Sequence, residues 1–461
     1  MSNPLTLNTM KKIYIIVVLL LTGMMAEAQT SVWEGKRRLW TRGEGTEDSP
    51  FLIETADNLA FLSYIVNKGV DTRGVYFELT TDIDLNGSED SPWLPIGMGN
   101  RWFADDGCDR TIDPSFQDNY FSGHFDGGGH SIYNLYVDSL DYAGLFGRIC
   151  CWYNEGATIE NINIESGYVN GKYSGGIVGD CAGIVVISNC LNNAEIVATE
   201  VAGGIVGKGC RAIRNCSNSG HITSGDIAGG IVGAQSNEIT ECFNTGDIVV
   251  NGNTAGGILG KKSGGQLIIV NCYNRGDLSG SAENGIGGLA GIAFSHSSDI
   301  RNCYNVGSIT NDVGNAGGLF GYDQVGSFEN VYYLNTCGGW GPGWNRTAEE
   351  MRDPAFVGAL NLGTDVWGFD EDNINDGYPI LTGTLMTVDE TAACLMSVYP
   401  NPAKGRFTVE GTGWLSISNI LGQTVYENAV EVRTEIALPE GIYLLRLNDG
   451  KATATTKVVV Y

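Results

Sequence analysis

Ala202-Gly203-Gly204-Ile205-Val206-Gly207 is one of seven copies of a single phrase in this chain. Ala143–Gly147 reads A-G-L-F-G, Ser174–Gly179 S-G-G-I-V-G, Ala228–Gly233 A-G-G-I-V-G, Ala255–Gly260 A-G-G-I-L-G, Ile286–Gly291 I-G-G-L-A-G and Ala316–Gly321 A-G-G-L-F-G. The closing glycines, Gly147, Gly179, Gly207, Gly233, Gly260, Gly291 and Gly321, stand 26 to 32 residues apart. A period of that size means stacked units, none of which buries an apolar face alone.

Each unit carries a second phrase. Asn189-Cys190, Asn215-Cys216, Asn271-Cys272 and Asn302-Cys303 each have Asn two places after the Cys, and a fifth copy reads Glu241-Cys242-Phe243-Asn244. A small turn and Ile196, Ile222, Ile248, Leu278 or Ile309 follow. Three short apolar runs per unit, too short for helices, predict a parallel β-solenoid whose coils stack ~4.8 Å apart. The Gly-Gly pairs belong where the backbone has positive φ or where coils pack closely.

The expected fold is all-β: a solenoid of about seven coils over residues 126–335, with small helical caps at both ends, then a small β-sandwich. In the N-terminal capping region, 29–125, Thr55 is an N-cap for a helix bearing Leu59, Leu62, Ile65 and Val66. In the cap and linker, 336–392, Thr347–Leu362 predicts one helix with Met351, Phe356, Leu360 and Leu362 as its apolar side. Residues 393–461 alternate apolar and polar in short runs, among them Phe407–Val409, Leu415–Ile417 and Ile442–Leu444, as a β-sandwich does.

Residues 1–28 read as a signal peptide. Lys11 and Lys12 precede an apolar run, and Ala26-Glu27-Ala28 gives a small-x-small cleavage site. That run is too short to span a bilayer. The formal charge of −26 repels phosphate backbones and anionic membranes, so no nucleic-acid partner is expected.

The repeats resemble the GLUG repeat of secreted and surface proteins of Bacteroidetes and of some adhesins. Tyr399-Pro400-Asn401-Pro402, Ile417–Gly422 and Gly441-Ile442-Tyr443 resemble the type A C-terminal sorting domain of the type IX (Por) secretion system. That resemblance implies export to the periplasm, passage through the outer membrane by the type IX machinery, usual removal of residues 393–461, and release or attachment at the surface.

Cys190, Cys216, Cys242, Cys272 and Cys303 share one repeat position. In-register neighbours hold their Cβ atoms ~4.8 Å apart, against ~3.8 Å in a disulfide, so a buried thiol ladder is expected. Cys181 and Cys210 lie off that row and are candidates for a disulfide between coils; Cys108, Cys150 and Cys151 are left unassigned. Asn192, Asn218, Asn244, Asn274 and Asn305 predict an amide ladder satisfying turn backbone.

Asp247 and Asp277 occupy one place on successive coils, but Glu195, His221 and Ser308 hold it elsewhere, as a solvated outer row does. No cofactor is expected. Calcium has partial motifs only, Asp82-x-Asp84-x-Asn86-Gly87 and Asp370, Asp372 and Asp376 before Gly377. No H-E-x-x-H, G-x-S-x-G or P-loop occurs. The expectation is therefore a non-enzymatic exported solenoid acting in adhesion or interaction, its ligand a surface polysaccharide, host protein or glycan. Trp93, Trp102, Trp340 and Trp344 are candidates for sugar stacking and equally for core packing of the caps. The alternatives are a β-helical polysaccharide lyase or glycosidase and a structural surface component.

Overall fold

The computed structural model describes residues 30–99, 119–152, 156–295, 297–325, 327–362 and 365–382, and most of 397–460. The signal sequence with Ala26 and Ala28, the sandwich residues Pro400, Asn401 and Pro402, and Trp102 and Cys108 lie outside them. The chain divides into two units, 1–385 and 386–461.

The first unit is a parallel β-solenoid of about nine turns. Three sheets build it, the first from the earliest turns and the other two from Leu135 and Phe146 onward. In the first, Phe77, Phe125, Ile159, Ile187, Ile213, Ile239, Ile269 and Ile300 stand in register on successive turns. In the second the row is Val137, Val169, Ile196, Ile222, Ile248, Leu278 and Ile309. In the third it is Phe146, Val178, Val206, Val232, Leu259, Ala290 and Phe320. All of these side chains are buried in one continuous core. Every turn therefore supplies the strand pairing and the apolar cover that its neighbours lack.

Two turns more than expected arise because the stack starts before residue 126. Phe51–Ile53, Tyr76–Leu79 and His124–Asp126 already pair in parallel with one another and with the later rungs. These turns lack the glycine phrase, and helix α1 (Ala56–Val66) interrupts them. Thr55 caps α1, accepting from the Asn58 N–H at 3.2 Å, and Leu59, Leu62 and Val66 face the core.

The glycine pairs serve close packing. Gly203, Gly204, Gly229 and Gly230 do not have positive φ. A Cβ on Gly204 would fall on the Asn218 side chain and the Gly230 carbonyl, and one on Gly230 on Asn244 and the Gly257 carbonyl. The glycine phrase of one turn and the Asn of the second phrase are thus complementary surfaces.

The single helix expected over Thr347–Leu362 is two. Helix α2 (Ala348–Arg352) starts with a capping box between Thr347 and Glu350, and helix α3 (Pro354–Leu360) starts at a proline with Asp353 as its N-cap. Pro354 has no N–H to continue α2, so the chain breaks there. Met351, Phe356 and Leu360 are buried, but Leu362 faces solvent. The segment does not simply close the end of the stack. It runs along the outer flank, with the Trp367 ring 6.0 Å from Tyr273 and 5.5 Å from Tyr304. Tyr304 Oη donates to the Pro379 carbonyl at 2.5 Å and Arg275 to the Ile374 carbonyl at 3.2 Å.

In the second unit, Ser397–Tyr399, Arg406–Glu410 and Arg433–Ala437 form one antiparallel sheet, and Gly413–Asn419, Thr424–Val430, Gly441–Asn448 and Thr453–Val460 another. Phe407, Val409 and Ile436 from the first share a core with Leu415, Ile417, Leu445 and Val458 from the second.

Candidate interaction surface

The inside of the stack is filled by ladders. Asn192, Asn218, Asn244, Asn274 and Asn305 are fully buried, and the Nδ2 of each of the first four donates to the Oδ1 of the next at 2.8 Å. The same Nδ2 atoms donate to the carbonyl two residues on, at 2.7–3.1 Å, in Ala194, Gly220, Gly246, Gly276 and Gly307. Each amide therefore satisfies a turn carbonyl and a neighbour together.

The five ladder cysteines are buried thiols. Each Sγ donates to the carbonyl two residues earlier at 3.1–3.3 Å. The N–H of Cys190 lies 3.4 Å from Cys216 Sγ, and that of Cys216 3.4 Å from Cys242 Sγ. Burial pushes the thiols of Cys190, Cys216, Cys242 and Cys272 well above the ordinary range. Such thiols are poor nucleophiles.

A further asparagine row escaped the sequence reading. Asn161, Asn189, Asn215, Asn271, Asn302 and Asn330 have φ of 51–56°, and Glu241 in the same row has φ 54°. Asn is the side chain best suited to that left-handed turn, and its amide also bonds from coil to coil. Asn215 donates to Asn189 at 2.7 Å and Asn189 to Asn161 at 2.9 Å. Its signal in the sequence is the first residue of Asn-Cys-x-Asn.

The carboxylates considered as sites are engaged in the scaffold. Asp247 Oδ1 accepts the Asp277 N–H at 3.0 Å, and Asp277 Oδ1 the Ser308 N–H at 2.8 Å. Asp82 holds His130 and the Ser131 N–H, both at 3.0 Å. Asp84 holds the Asn86 N–H at 2.7 Å and the Asn134 amide at 2.8 Å. Asp370 accepts the N–H groups of Ile374, Asn375 and Gly377 at 2.7–2.8 Å. No group of three metal-ligating side chains occurs among the described residues.

An outer corner between the second and third sheets carries a polar cluster that no motif announced. Tyr142 and Tyr173 stack at 5.7 Å, with Arg148 over Tyr142 at 5.4 Å and Lys172 and Lys208 each 5.2 Å from the Tyr173 centroid. Arg148 Nε lies 3.0 Å from Asp180 Oδ2, off the N–H axis, in an ion pair about nine-tenths buried. Burial pushes the Asp180 carboxyl up, and Arg148 and Lys208 oppose that.

The tryptophans divide. Trp93 is a core residue, edge-on to Trp33 and donating to the Leu145 carbonyl at 3.2 Å, so it is not a sugar platform. Trp340 is 69% exposed and Trp344 55%. Both sit on ordered backbone of the last turn. Trp340 N–H donates to Ala316 O at 3.1 Å, its carbonyl accepts from Gly318 at 3.0 Å, and Trp344 pairs in register with Tyr332. Gly343, Trp344, Asn345 and Arg346 line a shallow depression of about 420 Å³. Here both side chains stay more than half exposed although their backbones are fixed, the Trp344 ring lying 5.4 Å from that of Tyr332.

In the second unit Tyr399 ends the strand Ser397–Tyr399, and Gly441 opens Gly441–Asn448. Tyr443 is buried, with Oη donating to the Pro439 carbonyl at 3.0 Å. Residues 397–461 match the family model described as a secretion system C-terminal sorting domain. This is an exported protein. The sorting tail directs it through type IX secretion to the cell surface or beyond. No helix among the described residues is long and apolar enough to cross a membrane.

Other comparisons bear on the rest of the chain. It is 30% identical over 193 residues to Halomucin of Haloquadratum walsbyi, covering 39% of this chain and 2% of that protein. It is 29% identical over 174 residues to a proposed Gly-rich membrane protein of Evansella cellulosilytica, covering 37% and 16%. The chain thus spans only a small part of the curated relatives it matches. A crystal structure of a proposed immunoglobulin A1 protease from Bacteroides ovatus superposes with a TM-score of 0.51 at 20% identity, over 74% of this chain and 95% of that one. That likeness shows the fold. It also overturns the expectation of a non-enzymatic chain, which rested on the absence of a recognised catalytic motif from a repeat fold. A protein described as a protease is built on the same solenoid, and fold does not decide activity.

Proposed function

We propose that this protein, led into the export path by a signal peptide at residues 1–28 and built of GLUG-type repeats, is a surface interaction module that holds a glycan chain on Trp340 and Trp344. The observation that carries this reading is the exposure of two indoles on hydrogen-bonded backbone at one end of a rigid solenoid. Exposed aromatic faces next to polar residues suit the C–H faces of a sugar ring; Asn345 and Arg346 line the depression beside Trp344, with Arg346 also 3.7 Å from Glu350. A chain of net charge −26 favours an uncharged glycan over an acidic one.

The test is retention of the purified full chain on immobilised neutral and acidic polysaccharides, with soluble fragments measured in the same incubations. Retention on a neutral polymer, lowered at least about tenfold by Trp340→Ala or Trp344→Ala, supports the reading; about tenfold is 1.4 kcal/mol, the scale of one stacked aromatic. Retention that survives both substitutions, or fragment release without retention, overturns it.

A further inference from the structure

The nine thiols that are not already bonded among the described residues fall into different surroundings, and one pair stands apart. Cys181 and Cys210 lie on adjacent turns, on or beside strands whose register pairs Asp180 with Lys208. Their Sγ atoms are 2.6 Å apart and both side chains are buried. Two sulfurs that are not covalently joined do not normally approach so closely. The backbone contributes to the approach: Cys210 has φ 76°, a left-handed conformation that costs a side-chain-bearing residue energy. Gly209 before it is also left-handed, at φ 91°.

The turn below also carries a bonded cysteine. Cys150 is disulfide-bonded, and it lies on the strand Phe146–Cys151, which pairs Ile149 with Cys181 and Cys150 with Ala182. The five ladder cysteines are also buried and one coil apart, but each Sγ is engaged with the carbonyl two residues before it.

We propose that Cys181 and Cys210 form a disulfide that staples two successive turns of the exported protein, while the ladder cysteines remain thiols. The bond joins the two Sγ atoms. Each thiol loses its proton, and the two electrons pass to a disulfide-bearing oxidant of the exported compartment, which leaves as a dithiol. Reaction needs a thiolate, and burial pushes the Cys181 thiol well above its ordinary range. The staple therefore closes while the turns are still assembling. Once closed, it ties the 173–208 segment to the residues that follow, and it resists opening because its sulfurs are shielded from attacking thiols.

Peptide mapping of the secreted full chain tests this directly. The protein is denatured without reductant, alkylated and cut with trypsin. Cleavage after Lys172, Lys208 and Arg211 puts Cys181 and Cys190 on one peptide, 173–208, and Cys210 on the tripeptide Gly209–Arg211. The expected product is 173–208 joined to 209–211 with Cys190 alkylated; it disappears on prior reduction. Full alkylation of Cys181 and Cys210 in the unreduced sample overturns the staple, and linkage of Cys190 to Cys216 overturns the claim about the ladder. A Cys181→Ser/Cys210→Ser variant provides the independent measure. Without reductant it should unfold at a lower urea concentration than the parent, and the gap should narrow when both are unfolded in enough reductant to open every bridge, because only the parent then loses this cross-link. A gap that full reduction leaves unchanged would also overturn the proposal.

Discussion

Removal of the central amide of the asparagine ladder is the sharpest test of how the solenoid is held. Asn244 donates to Gly246 O at 2.7 Å and to Asn274 Oδ1 at 2.8 Å, and accepts from Asn218 Nδ2 at 2.8 Å. Asn244→Ala deletes all three bonds and strands their partners in the buried interior. The Asn218 amide keeps its bond to Gly220 O, so the heaviest losses fall on the Gly246 carbonyl and Asn274. A stranded buried polar group costs ~1–3 kcal/mol, so about 3–5 kcal/mol is expected in total. That is a large share of the ~5–15 kcal/mol by which whole domains are stable. Urea unfolding of the full chain followed by circular dichroism measures it, with exposed Glu195→Ala as the neutral control. Asn244→Asp should be equally damaging at neutral pH, because a carboxylate only accepts. It should recover in part as pH falls, since protonation restores one donor and relieves a buried charge. A loss below about 1 kcal/mol for Asn244→Ala would mean that apolar packing alone holds the turns together and that the amide row is incidental.

Gly230→Ala should cost about 1–3 kcal/mol in the same assay by overpacking, since the added methyl falls on Asn244 and the Gly257 carbonyl; an unchanged midpoint would show that the coils can separate slightly without penalty. Lys262 is buried with its Nζ on Asn237 Oδ1 at 2.7 Å, and burial holds its ammonium below the ordinary lysine range. Between that lowered value and the ordinary one the unfolded chain binds more protons, so stability should rise with pH there, and Lys262→Met should flatten the rise; an unaltered pH profile would refute the assignment. Deletion of 393–461 should leave the protein in the periplasm, read by cell fractionation; normal surface display would contradict the sorting role.

How much of this was legible depended on what repeats. The interior rows were readable because a position inside a coil sees nearly the same surroundings on every turn, so Ile177, Ile205 and Ile231 or Asn192, Asn218 and Asn244 recur as the same residue type. The early turns were missed for the converse reason. Phe77 and Phe125 occupy the isoleucine row, but α1 and long connections separate them, and no phrase marks the register. The flanking course of 347–382 was also beyond reach, because it depends on Trp367 meeting Tyr273 and Tyr304, residues far apart in the chain. The split at Pro354 was readable from proline chemistry and was passed over for the apolar spacing around it.

The same logic says where function is to be sought. Inside the stack, selection for identical packing leaves little room for a ligand, and the outer row of Glu195, His221, Asp247, Asp277 and Ser308 varies as solvated positions do. Places that depart from both patterns are few. The corner of Tyr142, Tyr173, Arg148 and Asp180 is one, but its rings cover each other and its charges are matched within the fold. The last turn is another: Arg346 lies 3.7 Å from Glu350 and the Trp344 ring 5.4 Å from that of Tyr332, yet both indole side chains keep more than half of their surface in water. Trp340 and Trp344 are fixed through their backbones and left open at the rings. A repeat protein can extend its scaffold by copying a turn, but a contact made by two aromatic rings at one end is present once, however long the stack. Binding that scales with the number of turns would therefore point to the flanks, and binding that does not would point to this end.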